Sequence, residues 1–205
     1  MKISLEHISK KFQKHWIFRD INYEFQEAGA YALLGSNGSG KSTLLRIIAA
    51  MQSPSRGKLS YISDGRQVET TVVFPYISFC APGMEIVEEL TMREFFQFHF
   101  SFKKPLPGLS IDSIITLTGL EGAADKLVGD FSSGMKQRVK LAQAIFSHTP
   151  VLLLDEPCTN LDQSGMEQYK SWMSTYAADR LVIIASNDER EYFLCREKLD
   201  VEQFR

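Results

Sequence analysis

The chain has 205 residues, the size of one domain with room for an inserted subdomain. Hydrophobic residues make up 44% and charged residues 23%, a globular balance that excludes a disordered or collagen-like chain. Lys and Arg number 23 against 25 Asp and Glu, a net charge of −2, so no basic excess exists to hold a phosphate backbone and no nucleic acid partner is expected.

The opening MKISLEHISKKF has neither the apolar core nor the small-residue cleavage site of a secretory leader, so none is expected. No apolar run approaches the roughly 18 residues of a membrane span. Alternation over residues 3–7 and 17–25 predicts two strands, and the unbroken apolar run 30–34 predicts a strand buried on both faces. Next comes Gly35-Ser36-Asn37-Gly38-Ser39-Gly40-Lys41-Ser42, which fits G-x-x-x-x-G-K-[ST] between that strand and a helix predicted over 41–51. The glycines let the backbone turn so that successive N–H groups face a small concavity, and the helix N-terminus adds partial positive charge. Such a cradle suits a nucleoside triphosphate, with Lys41 on the β- and γ-phosphates and Ser42 on Mg²⁺. Residues Gly35 to Thr43 are therefore candidate nucleotide contacts; the bland alternative is a Gly/Ser-rich turn before a core helix.

Strands are predicted over 58–63 and 67–74, joined by an Asp64-Gly65 hairpin turn. Thr91-Met-Arg-Glu94 matches a capping box and opens a helix carrying Phe95, Phe96 and Phe98, stopped by Pro105, Pro107 and Gly108. A second helix is predicted over 111–118, so residues 83–131 read as a helical insert. Beyond it, a helix over 133–148 places Met135, Val139, Ala142 and Ile145 on one face. The buried strand 151–154 ends in Asp155 and Glu156, at the carboxyl end where parallel sheets place ligands. Asp155 can hold Mg²⁺ through a water, and Glu156 can orient and deprotonate an attacking water. A helix over 164–176, a strand over 181–185 and a short helical tail complete the pattern. Strand–helix alternation predicts an α/β fold with a mostly parallel sheet, an antiparallel β subdomain near the N-terminus and the helical insert. Cys80, Cys158 and Cys195 show no metal-ligand spacing and suit free thiols in a reducing compartment, and the four histidines show none either.

Between the cradle and the acidic strand lies Phe131-Ser132-Ser133-Gly134-Met135-Lys136-Gln137-Arg138. With these neighbours in this order, the chain resembles the ATP-binding-cassette ATPase family, whose signature is Leu-Ser-Gly-Gly-Gln. Ser132, Gly134 and the Gln137-Arg138 continuation match. The resemblance implies a P-loop NTPase core forming one domain over residues 1–205, with its helical subdomain at about 83–131. It implies that Ser132, Ser133 and Gly134 bind the γ-phosphate of ATP held by a second cassette protomer, identical or not. Phe12 aligns with the family's adenine-stacking aromatic, though Trp16 competes and Phe12 can equally be an edge aromatic. Asp162 aligns with a residue touching the opposite protomer, and can equally cap the helix after it. Four positions in three motifs depart: Pro82 stands where the family has glutamine, Asn187 replaces histidine, and Ser133 and Met135 replace glycine and glutamine in the signature.

The resemblance thus implies an ATP-hydrolysing subunit that dimerises around two MgATP and drives a separate integral membrane permease. Such a subunit is cytoplasmic, held on the inner face of the membrane through the permease. Glu156, Lys41 and Asn187 are the candidate catalytic groups, and Ser42 and Asp155 the candidate metal ligands. Some phenylalanines of the insert can line a groove for a permease helix. The alternatives are a cassette ATPase outside transport, a degenerate nucleotide-binding module, or a P-loop kinase, which would leave the segment around Ser132 unexplained.

Overall fold

The computed structural model describes residues 1–205. In chain order the strands are β1 (Lys2–Phe12), β2 (His15–Phe25), β3 (Ala30–Leu34), β4 (Arg56–Ser63), β5 (Arg66–Val68), β6 (Ile77–Cys80), β7 (Val151–Asp155), β8 (Leu181–Ala185) and β9 (Glu197–Asp200). The helices are α1 (Lys41–Ile48), α2 (Met92–Phe102), α3 (Ile111–Thr118), α4 (Ser133–Ile145) and α5 (Gln163–Tyr176). Strands β6-β7-β8-β3-β9 form a sheet whose pairs are all parallel, and β2-β1-β4-β5 form an antiparallel sheet. The fold is α/β, as expected.

The parallel sheet divides two cores, and β7 shows how. Val151 and Leu153 face one way, packing with Leu44 and Ile47 of α1 and with Ile3, Phe18 and Phe25 of the antiparallel sheet. Leu152 and Leu154 face the other way, among Phe96, Ile114, Val139 and Trp172 of the four later helices. All five residues of β7 are buried, which is why its sequence is an apolar run rather than an alternation. This buried strand carries Asp155 to the sheet's carboxyl edge, beside the turn that follows β3.

The strand expected over 3–7 runs on to Phe12, and four further stretches differ from the sequence reading. The helix after the glycine-rich turn stops at Ile48, because Ala50 takes a left-handed conformation (φ 58°) and Met51 N–H returns to Arg46 O at 2.9 Å. The strand expected over 67–74 ends at Val68 and gives way to two 3-10 turns, the second containing Pro75. The helix expected to reach residue 148 ends at Ile145, whose carbonyl accepts from the Arg180 guanidinium at 2.7 Å, while His148 N–H pairs with Lys104 O. The tail is not simply helical: it supplies β9, which pairs with β3, before a 3-10 turn over Val201–Phe204. The Thr91 capping box forms as read, with Glu94 N–H on Thr91 Oγ1 and Thr91 N–H on Glu94 Oε2. No helix is long and apolar enough to cross a membrane.

Candidate functional site

The glycine-rich loop runs from the end of β3 into α1. Gly40 has φ 104°, and a Cβ there would lie 2.5 Å from Ile17 Cγ2 and 3.0 Å from Phe18 Cδ1, so β2 presses against the loop and admits only glycine. The first helical bond of α1 is Leu44 N–H to Gly40 O, which leaves the N–H groups of Lys41, Ser42 and Thr43 without helix partners. Lys41 is buried, and its ammonium folds along the loop onto Gly35 O at 2.6 Å and Ser36 O at 3.2 Å. Ser39 Oγ is buried with no hydrogen-bond partner, 2.6 Å from where a Cβ at Gly35 would lie. Free N–H groups at a helix N-terminus and a cation along the same loop fit a polyphosphate.

Beneath the cradle, Ser42 Oγ donates to Asp155 Oδ1 at 2.9 Å, joining residues 113 positions apart. Burial holds the Asp155 carboxyl above its usual pKa, with the Ser42 hydrogen bond opposing that shift. A hydroxyl and a carboxylate at this spacing form the hard oxygen set that Mg²⁺ takes alongside phosphates. Glu156 follows in a left-handed conformation (φ 41°), and its N–H donates to Ala185 O at 2.8 Å. That strained turn sends the Glu156 side chain out of the sheet instead of along it, into a cavity of ≈ 530 Å³ shared with Asn37, Asp162, Asn187 and Glu191. Asn187 Nδ2 reaches Asn37 Oδ1 at 3.4 Å, so the second residue after β8 touches the glycine-rich loop. The structure thus brings together Lys41, Ser42, Asp155, Glu156 and Asn187 on one edge of the sheet.

Ser132 caps α4 by accepting from Met135 N–H at 3.3 Å, leaving the N–H groups of Ser133 and Gly134 free. Ser132 and Ser133 are exposed, and none of the three bonds to the glycine-rich loop of the same chain. The start of α4 meets the loop after Glu156 through other residues: a Cβ at Gly134 would lie 3.0 Å from Asn160 O, and Gln137 Nε2 donates to Pro157 O at 2.6 Å. Asp162 caps α5 through Gly165 N–H at 2.8 Å and pairs with Arg138 at 3.3 Å, so the cap reading describes it within one chain. Phe12 sits at the end of β1 opposite His15, 48% exposed, with Lys10 over its ring. The Trp16 ring is already flanked by Lys11, Arg19 and Arg56. The Pro82 carbonyl accepts from Lys140 of α4 at 3.0 Å, and its ring offers no polar group.

Sequence reasoning missed two groups. Glu191 is buried and accepts from Cys158 N–H at 2.9 Å, while burial raises its carboxyl pKa. Glu202 contacts the glycine-rich loop from the 3-10 turn after β9. Neither belongs to a local pattern, and only the long-range pairing of β9 with β3 brings the second into place.

A groove of ≈ 480 Å³ lies between the α1 end and the insert, lined by Met51, Val73, Phe74, Phe79, His99 and Lys103 among others. Phe95, Phe96 and Phe100 are core, whereas Phe98 and Phe102 are exposed.

Comparison with known proteins agrees with this geometry. The family model described as ABC transporter matches residues 18–159. The chain is 32% identical over 176 residues to a sulfate/thiosulfate import ATP-binding protein of Synechocystis sp., covering 84% of this chain and 49% of that protein. It is 33% identical over 165 residues to an uncharacterized ABC transporter ATP-binding protein of Bacillus subtilis, covering 80% of this chain and 75% of that one. It thus spans about half the length of the first of these relatives. Among solved structures, an ATP-binding subunit of an ABC transporter superposes with a TM-score of 0.82 at 21% identity, covering 98% of this chain and 85% of that one. A dimeric bacterial ABC transporter cassette superposes at 0.80 and 21% identity, covering 98% and 95%. The chain belongs to the ABC transporter family.

Proposed function

We propose that the chain is an ATP-binding and ATP-hydrolysing subunit, one domain over residues 1–205 with a helical subdomain at about 83–131. The observation that carries this reading is the Ser42–Asp155 contact, which joins the phosphate cradle to the acidic strand end. The free N–H groups of Lys41 to Thr43 and the Lys41 ammonium hold the β- and γ-phosphates. Ser42 and Asp155 hold Mg²⁺, which when bound neutralises charge on the phosphates. Glu156 orients the attacking water and takes its proton, and the Asn187 amide donates to the γ-phosphate. Phe12 offers its exposed ring to the adenine.

Two copies work as a dimer around two nucleotides. The exposed turn Ser132, Ser133 and Gly134 of each faces the γ-phosphate held by the other. Support comes from the two free N–H groups of that turn and from its lack of any bond to the cradle of its own chain. The groove beside Phe74 receives a helix of a membrane permease, which holds the subunit on the cytoplasmic face. The test is release of phosphate from MgATP. The parent protein turns over, and Lys41→Ala and Glu156→Gln do not. Pro82 and Asn187 favour a second reading, a module that binds ATP without turnover; that reading wins if the parent binds MgATP and releases no phosphate at any protein concentration.

A further inference from the structure

β9 lies beside β3 in parallel register, with Leu34 opposite Asp200. Val201 is fully buried, anchoring the 3-10 turn that follows, and Asp200 caps that turn by accepting from Glu202 N–H at 3.0 Å. From this anchored turn two side chains reach the glycine-rich loop. The Glu202 carboxylate accepts from Ser36 N–H at 3.0 Å and from the Ser36 hydroxyl. Arg205 Nη2 donates to Gly38 O at 2.9 Å. The approach is close: a Cβ at Gly35 would lie 3.2 Å from Glu202 Cγ.

The direction of approach follows from the peptide plane. In the trans peptide joining Gly35 to Ser36, the carbonyl and the N–H point opposite ways. Gly35 O faces the Lys41 ammonium, so Ser36 N–H and the carboxylate it binds lie on the side away from Lys41. Glu202 therefore grips the outer wall of the cradle and does not stand where a phosphate would meet the lysine.

We propose that Glu202, assisted by Arg205, is a positioning residue for nucleotide binding: it fixes Ser36 to Gly38 from outside so that the loop's remaining N–H groups stay aimed inward. This rests on the reading of the loop as a triphosphate cradle.

The test uses the full chain, with MgADP binding by calorimetry and steady-state MgATP hydrolysis. Glu202→Ala is expected to raise the MgADP Kd and the ATP KM together, about 3–10-fold, with kcat within about twofold. Glu202→Gln, which keeps an acceptor oxygen for Ser36, recovers most of that loss, whereas Glu202→Met, which keeps the length of the side chain without the oxygens, does not, as it would if packing alone mattered. Should Glu202→Ala fail to fold, Arg205→Ala carries the test, with a smaller rise of the same sign. Unchanged affinity in the folded variants overturns the proposal. So does tighter binding, which would make Glu202 a tethered competitor of phosphate. Lys41→Ala separates this from the underlying reading. If the parent binds MgADP and Lys41→Ala does not, unchanged Glu202 variants sink the positioning role alone. If the parent does not bind, the cradle itself is wrong.

Discussion

Asp155 is a charge that the fold accommodates at a cost, and Asp155→Asn separates that cost from its use. The side chain is only 4% exposed. Burial is the main reason its pKa lies above 3.8; the Ser42 hydrogen bond opposes the shift, and the Glu156 charge adds to it. For an acid shifted this way the unfolded chain gives up its proton first, so stability falls as pH climbs above 3.8. Asparagine keeps an oxygen for Ser42 Oγ and carries no charge. We expect the ligand-free variant to gain on the order of 1 kcal/mol at neutral pH. For a chain of this length that is a rise of about 2–4 °C in Tm. The gap closes as pH falls below 3.8, where both side chains are neutral. The same substitution should abolish the strengthening of ATP binding by Mg²⁺. Thermal unfolding by circular dichroism across pH, with ATP titrations in Mg²⁺ and in chelator, reads both effects. A variant less stable than its parent at pH 7, or one whose ATP affinity still rises with Mg²⁺, refutes the reasoning.

Gly40→Ala places a methyl 2.5 Å from Ile17 in a left-handed backbone and should weaken MgADP binding by about tenfold or more; calorimetry showing parental affinity contradicts it. Gln137→Ala leaves the Pro157 carbonyl without its donor, a loss of about 1–2 kcal/mol that scanning calorimetry reads as a lower Tm, and an unchanged Tm counts against the contact. Asn187→Ala removes the amide that touches Asn37, and phosphate release should slow by at least about tenfold while MgADP affinity stays within about threefold.

Much of the site was legible because its chemistry is local. Gly35 to Ser42 encode a turn and a helix N-terminus within eight residues, and the Thr91 capping box and the Ser132 cap are four-residue patterns that formed as read. The buried strands β3, β7 and β8 announced themselves as short apolar runs, with β8 placed to the residue. What escaped was non-local. β9 has one buried residue, Leu199, at the sheet edge, so nothing in Glu197-Lys198-Leu199-Asp200 separates it from a charged helix. Glu202 and Glu191 act through chain segments 166 and 33 residues away, which no spacing rule reaches. The ends of α1 and α4 were overestimated because their C-terminal caps are a left-handed alanine and a distant arginine, where a glycine would have marked the stop. The sequence makes Ser132 and Lys41 halves of one site, and within one chain no hydrogen bond joins them.

That separation makes the subunit boundary the decisive place to look. Sedimentation velocity of Glu156→Gln with saturating MgATP measures it directly, since trapped nucleotide should hold two cradles against two Ser132 turns. The account predicts a dimer with MgATP, a monomer with MgADP, and no dimer when Ser132→Arg is added. A species that stays monomeric in excess MgATP while binding it, or a dimer indifferent to Ser132→Arg, contradicts the central claim.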